Sequence, residues 1–178
     1  MDLFIKAGCW NGPVREKSED MVSVAGIMLC DAVKILDTNI KKDEKGHIYL
    51  IGAGDSRVYL YRDGFLTQLS TDHEDMQGLL TNCIGAGVEP IVDVKDITSK
   101  VTDDDMIVIC SDGLTDMVSD DEIEYILTSS PDPLEDLYDR ACVNGGADNV
   151  SIILAKIGSD FGCGQDGPDD DGRYDAYV

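Results

Sequence analysis

The chain has 178 residues, enough for one domain with a substantial core, and carries a formal net charge of −22. So acidic a surface repels DNA, RNA and anionic membranes, and no apolar run approaches the roughly 20 residues that span a bilayer. With 43% apolar and 28% charged residues it reads as a soluble globular protein. The start, MDLFIKAGCWNG, has no secretory-signal pattern, so the cytoplasm is the expected location. Six cysteines are scattered without a C-x-x-C pair, which argues against a zinc site or a disulfide framework.

In chain order, apolar runs bounded by turn residues predict strands over 3–7, 21–24 and 27–30. Val33, Leu36 and Ile40 share one stripe at helical spacing, which predicts a helix over 32–41. The segment HIYLIGAGDSRVYLYRDGFLTQLS alternates apolar and polar residues, and Arg62-Asp63-Gly64 supplies hairpin chemistry. It predicts strands over 48–53, 58–62 and 65–69. Further strands are expected over 91–97 and 106–110. Ser119-Asp120-Asp121-Glu122 is a capping box ahead of Ile123, Ile126 and Leu127. Asp132-Pro133 opens a second helix that runs to Val143 and stops at Asn144-Gly145. A last strand covers 149–157. Residues 158–178, rich in Gly and Asp, are expected to form a flexible tail behind a domain of residues 1–157. Many antiparallel strands with few helices predict an α+β fold, an antiparallel β-sandwich flanked by helices. Trp10, Tyr49, Tyr59 and Tyr61 are expected to pack it, and His47 and His73 to be structural or surface residues.

Carboxylates fall at the ends of these strands. A two-residue turn at Ala25-Gly26 would set Val24 against Ile27 and, counting outward, Asp20 against Asp31. Opposed like charges destabilise a sheet, and a divalent cation would neutralise them. Asp55, Asp112 and Asp148 sit at similar boundaries, so acids sharing one sheet edge could form an all-oxygen cage suited to Mg²⁺ or Mn²⁺. Asp is also common at strand ends for local reasons, and spacing alone leaves both readings open. Asp31 can equally cap a following helix, and Asp55 can pair with Arg57.

Four segments carry a family resemblance. GAGDSRVYLYRDGFLTQLSTDHE, DDDMIVICSDGLTDMVSDDEIEYIL, GGADNVSIILAKI and GPVREKSED resemble, in the right order, four motifs of the type 2C metal-dependent serine/threonine protein phosphatases of bacterial type, over roughly residues 5–157. The resemblance implies a β-sandwich with a two-metal centre of Mn²⁺ or Mg²⁺, and a third, weaker metal. It implies Glu19 or Asp20 as the first acidic ligand, Asp112 and Asp148 completing the dinuclear site, Asp55 and Asp116 at the third metal, and Arg15 holding substrate phosphate. The family's D-G-x-G-G stretch is absent. Asp31 stands nearest to its bridging Asp, followed by Ala32, whose carbonyl replaces that of Gly. The helical segment before GDSR and the flap after STDHE are both short. The implied activity is hydrolysis of phosphoserine or phosphothreonine in proteins, such as the products of a serine/threonine kinase, by a monomer. The alternatives are a pseudophosphatase that binds a phosphoprotein or another partner without turnover, and an acidic structural domain with no metal.

Overall fold

A computed structural model describes residues 2–15, 20, 22–24, 27–29, 34–41, 48–84, 87 and 89–158. Its centre is a six-stranded antiparallel sheet in the order β4-β1-β10-β9-β6-β7, where β1 is Asp2–Trp10, β4 Lys34–Lys41, β6 Arg57–Arg62, β7 Phe65–Gln68, β9 Met106–Cys110 and β10 Val150–Ile157. Two ladders of two strands complete the β-structure: β2 (Val22–Val24) with β3 (Ile27–Leu29), and β5 (Tyr49–Gly52) with β8 (Asp93–Asp96).

Both faces of the large sheet are covered, which explains why Met106–Cys110 reads as an unbroken apolar run and not as an alternating one. Met106, Val108 and Cys110 face the helices α1 (Asp112–Thr115), α2 (Asp120–Ser129) and α3 (Pro133–Val143), packing with Leu114, Ile123, Leu134 and Leu137. Ile107 and Ile109 face the other way, towards Leu50, Ile97 and Val101 beside the β5–β8 ladder. The α+β sandwich expected from the sequence is the fold observed. Among the described residues no helix is long and apolar enough to cross a membrane.

Most element boundaries lie within a residue or two of those expected, and β9 matches at both ends. The capping box forms as written: Ser119 Oγ accepts from the Glu122 N–H, and Glu122 Oε2 accepts from the Ser119 N–H. The β2–β3 register sets Val24 against Ile27, as the two-residue turn requires, although the turn and Asp31 lie outside the described residues.

Three expectations are corrected. Residues 34–41 form a strand, not a helix: they pair with β1 from Asp2↔Lys41 to Cys9↔Lys34. The β-branched Ile35, Thr38 and Ile40 suit that pairing, which outweighs a weak helical stripe. The strand expected over 91–97 begins only at Asp93, because the Asn82 amide takes both backbone groups of Ile91, donating to its carbonyl and accepting from its N–H. Tyr49, expected to pack the sandwich, is 54% exposed, whereas Trp10 and Tyr59 are buried. The helix start expected at 32 and all but Gly158 of the expected tail fall outside the described residues.

Candidate functional site

Strand direction gathers the candidate residues. β1 ends at Trp10 opposite Val150, the first residue of β10, while Cys110, the last of β9, lies between Ile152 and Arg57, the first of β6. One edge of the sheet therefore receives the turn after β1, the loop before β6, the turn after β9 and the loop before β10. These segments carry Arg15, Asp55, Asp112 with Asp116, and Asp148.

Asp112 is the first residue of α1, a four-residue helix that sequence patterning was too short to reveal. Glycine follows it for a steric reason: a Cβ on Gly113 would lie 1.9 Å from the Asn149 carbonyl oxygen, so α1 seats directly on the start of β10. Asp116 caps the far end of α1, its N–H donating to the Asp112 carbonyl at 2.8 Å. Burial, then the neighbouring carboxylates of Asp55, Asp116 and Asp148, raise the Asp112 carboxyl above its ordinary range, against one backbone hydrogen bond from Gly113. Asp55, Asp116 and Asp148 thus lie near enough to Asp112 for their charge to act on it.

Asp148 uses both carboxylate oxygens. Oδ1 accepts from the Asn149 N–H at 2.7 Å, and Oδ2 accepts from Arg15 Nη2 at 2.7 Å. Two features bring Arg15 there across the chain. Gly12 has φ of 70°, and a Cβ on it would meet the Asp148 carbonyl oxygen at 2.2 Å, so the turn after β1 packs on the loop before β10. Asn149, 2% exposed, ties the two together by donating from Nδ2 to the Asn11 carbonyl at 2.8 Å. Sequence reasoning missed Asn149; the signal was a polar side chain at the mouth of a buried strand, which must find a partner.

Asp20 reaches β10 by a different route: Ser151 Oγ donates to its Oδ2 at 2.7 Å. The Ser151 N–H donates to Ser111 Oγ, next to Asp112, at 3.0 Å. Glu19, Asp31 and Ala32 lie outside the described residues. Arg57 does not pair with Asp55. Its guanidinium meets Asp72 at 2.7 Å and donates to Tyr59 Oη at 3.2 Å, and Tyr59 in turn donates to Asp120 at 2.9 Å. Asp72 is the nearer acid because β7 runs back beside β6 and delivers residue 72 to the guanidinium. Burial pushes the Cys110 thiol up to about 12, which leaves it inert as a nucleophile.

The donors gathered here are oxygens, the chemistry that hard divalent cations take, and a cation would relieve the mutual repulsion around Asp112. Among the described residues, however, no group of three carboxylate, histidine or cysteine side chains is arranged to hold an ion.

No protein-family model matches the chain. Serine/threonine phosphatase stp of Listeria welshimeri is 32% identical over 132 residues, covering 63% of this chain and 52% of that protein. Serine/threonine protein phosphatase PstP of Mycobacterium tuberculosis is 32% identical over 142 residues, covering 67% of this chain and 26% of that protein. The chain therefore spans about half the length of the first relative and about a quarter of the second. The crystal structure of the PstP catalytic domain in complex with two manganese ions superposes with a TM-score of 0.61 at 22% identity, over 87% of this chain and 99% of that one, a likeness of fold. With matching relatives in sequence and in fold, the chain belongs to the type 2C serine/threonine protein phosphatase family.

Proposed function

We propose that this protein hydrolyses phosphoserine or phosphothreonine in phosphorylated proteins, using divalent cations at the sheet edge around Asp112. The observation that carries the reading is that strand direction delivers the segments with Asp55, Asp112, Asp116 and Asp148 to one edge of the sheet, where Arg15 bonds to Asp148. The serine/threonine phosphatase relatives and the two manganese ions of the PstP structure agree with it.

Asp112 and Asp148, with Asp20 or Glu19 and with Asp31 and the Ala32 carbonyl, would hold two cations, and Asp55 and Asp116 a third. Bound there, Mn²⁺ or Mg²⁺ would lower the pKa of a coordinated water, so that its deprotonated form could serve as the nucleophile near neutral pH. Arg15 holds equatorial phosphate oxygens through charge-assisted hydrogen bonds. Its present partner is no obstacle. The Arg15–Asp148 side chains are 44% and 39% exposed, and such a surface pair contributes about 1 kcal/mol or less, so Arg15 is readily exchanged from Asp148 to a phosphate dianion. α1 presents Asp112 and Asp116 from one short turn, and its seat on β10 keeps Asp112 half-buried, which strengthens its interaction with any cation.

The absent D-G-x-G-G stretch, together with a spacing of described carboxylates that encloses no ion, favours the second reading: a pseudophosphatase that binds a phosphoprotein without turnover. Phosphate release from a phosphothreonine peptide, measured against Mn²⁺ concentration, separates the two. The enzyme releases phosphate only with Mn²⁺, and Asp112→Ala lowers kcat/KM by roughly 100-fold or more. Peptide binding with no release identifies the pseudoenzyme, and release unchanged by chelator or by Asp112→Ala contradicts both the metals and the site.

A further inference from the structure

The STDHE segment supplies a histidine that the reading above leaves unused. His73 is 15% exposed, and it holds the loop between β5 and β6 from two directions. The Gly54 N–H donates to His73 Nδ1 at 3.1 Å, and the His73 N–H donates back to the Gly54 carbonyl at 3.0 Å. Gly54 has φ of 128°, a conformation that side-chain-bearing residues rarely adopt, so this loop does not hold its shape by local preference alone. Gly54 immediately precedes Asp55.

The ring is itself fixed. Asn82 Nδ2 lies 2.6 Å from His73 Nδ1, and the same amide is oriented by its two hydrogen bonds to Ile91. With Asn82 Oδ1 accepting from the Ile91 N–H, Nδ2 is the group facing the ring, so Nδ1 is the acceptor and its single lone pair is shared between Asn82 Nδ2 and the Gly54 N–H. That assigns the ring hydrogen to Nε2, on the side of Asp93 Oδ2 at 3.5 Å. Asp93 belongs to β8 and pairs with Gly52 of β5, which closes the circuit back to the strand that leads into the loop. The His73 carbonyl also accepts from Thr81, from its N–H at 2.7 Å and from Oγ1 at 2.9 Å. On the other side of the loop, Asp72 holds Arg57, the first residue of β6.

We infer that His73 is a positioning residue: with Nδ1 as the acceptor and the ring hydrogen on Nε2, it fixes Gly54 and thereby the backbone that carries Asp55. The inference deepens the proposed function and rests on it only where metal affinity is concerned. A ligand aimed by a fixed backbone binds more tightly than one that must first be ordered, and outer residues of this kind typically change metal affinity about 10–100-fold when replaced.

The test uses His73→Asn, whose Oδ1 stands where Nδ1 stands, and His73→Gln and His73→Leu, which offer no acceptor there. Amide exchange of Gly54 by NMR reports the clamp itself, and calorimetry with Mn²⁺ reports its consequence. Gly54 is protected in the wild type and in His73→Asn and unprotected in His73→Gln and His73→Leu. Mn²⁺ affinity falls about 10-fold or more in the last two and is kept in His73→Asn. In an Asp55→Asn background, His73→Leu weakens affinity no further, because its effect passes through Asp55. Protection of Gly54 persisting in His73→Leu and His73→Gln overturns the inference, as does a loss of affinity that is fully additive with Asp55→Asn. If the wild-type protein takes up no Mn²⁺, the phosphatase reading fails on its own, and the Gly54 exchange rates still decide whether His73 is the clamp.

Discussion

At the scale of single residues, Asp112 and Arg15 make opposite demands on the fold. Asp112 is an acid whose folded pKa lies above its unfolded value, so its proton is held more tightly in the folded state. Its stabilising contribution is therefore complete below the unfolded value of about 4 and is lost as pH rises through the folded value. At neutral pH in chelator, Asp112→Asn should raise the melting temperature, and the gain should vanish as the solution is acidified to about pH 4 or below. Equal melting curves at all pH values would mean that the crowding around Asp112 costs the fold nothing. Arg15 lies in an exposed pair, and Arg15→Ala should change stability by less than about 1 kcal/mol. If it grips phosphate, the same change removes about 1.5–3 kcal/mol of binding to a charged group, roughly 10- to 100-fold in kcat/KM towards a phosphopeptide. A change in stability without a change in kcat/KM would reduce Arg15 to a structural partner of Asp148.

At the scale of elements, local chemistry and long-range packing separate cleanly. The capping box of α2 is written in four consecutive residues, and its two reciprocal hydrogen bonds form as the sequence predicts. Ser119→Ala should therefore cost about 1 kcal/mol, a fall of roughly 2–4 °C in melting temperature for a domain of this size. The strand β4 could not be found in this way. Its pattern fits a helical stripe, and only the neighbouring β1, about 30 positions away, makes it a strand. α1 was hidden for a different reason, since four residues carry no periodicity, yet its Gly113 is essential to the seat on β10. Gly113→Ala should cost about 1–3 kcal/mol by forcing α1 away from the Asn149 carbonyl, and it should weaken Mn²⁺ binding through the displaced Asp112. The acids themselves were legible one by one from their place at strand ends. The bond that brings Arg15 to Asp148, and the part played by Asn149 in making it, depend on residues more than 130 positions apart and were not.

At the scale of the whole molecule, the sheet serves as a partition. One face buries the helical core, the other buries the β5–β8 core, and strand ends bring acids from distant parts of the chain to one rim. Covering both faces makes the central strands rigid enough to hold like charges together. On the proposed function, a cation bound at that rim would stabilise the folded state. At a Mn²⁺ concentration of about 100 times the dissociation constant, binding to the folded state alone contributes about 2.7 kcal/mol, a rise of roughly 5–10 °C in melting temperature. A melt unmoved by Mn²⁺ would leave the rim an acidic surface and nothing more.

The central claim is that this rim is a metal centre, and anomalous diffraction tests it most directly. Crystals grown with Mn²⁺, measured at the manganese edge, should show two anomalous peaks about 3.5–4 Å apart next to Asp112 and Asp148. Asp112→Ala should abolish at least one of them. An absence of peaks at that edge in well-diffracting crystals, or peaks bound only elsewhere on the surface, would contradict the account.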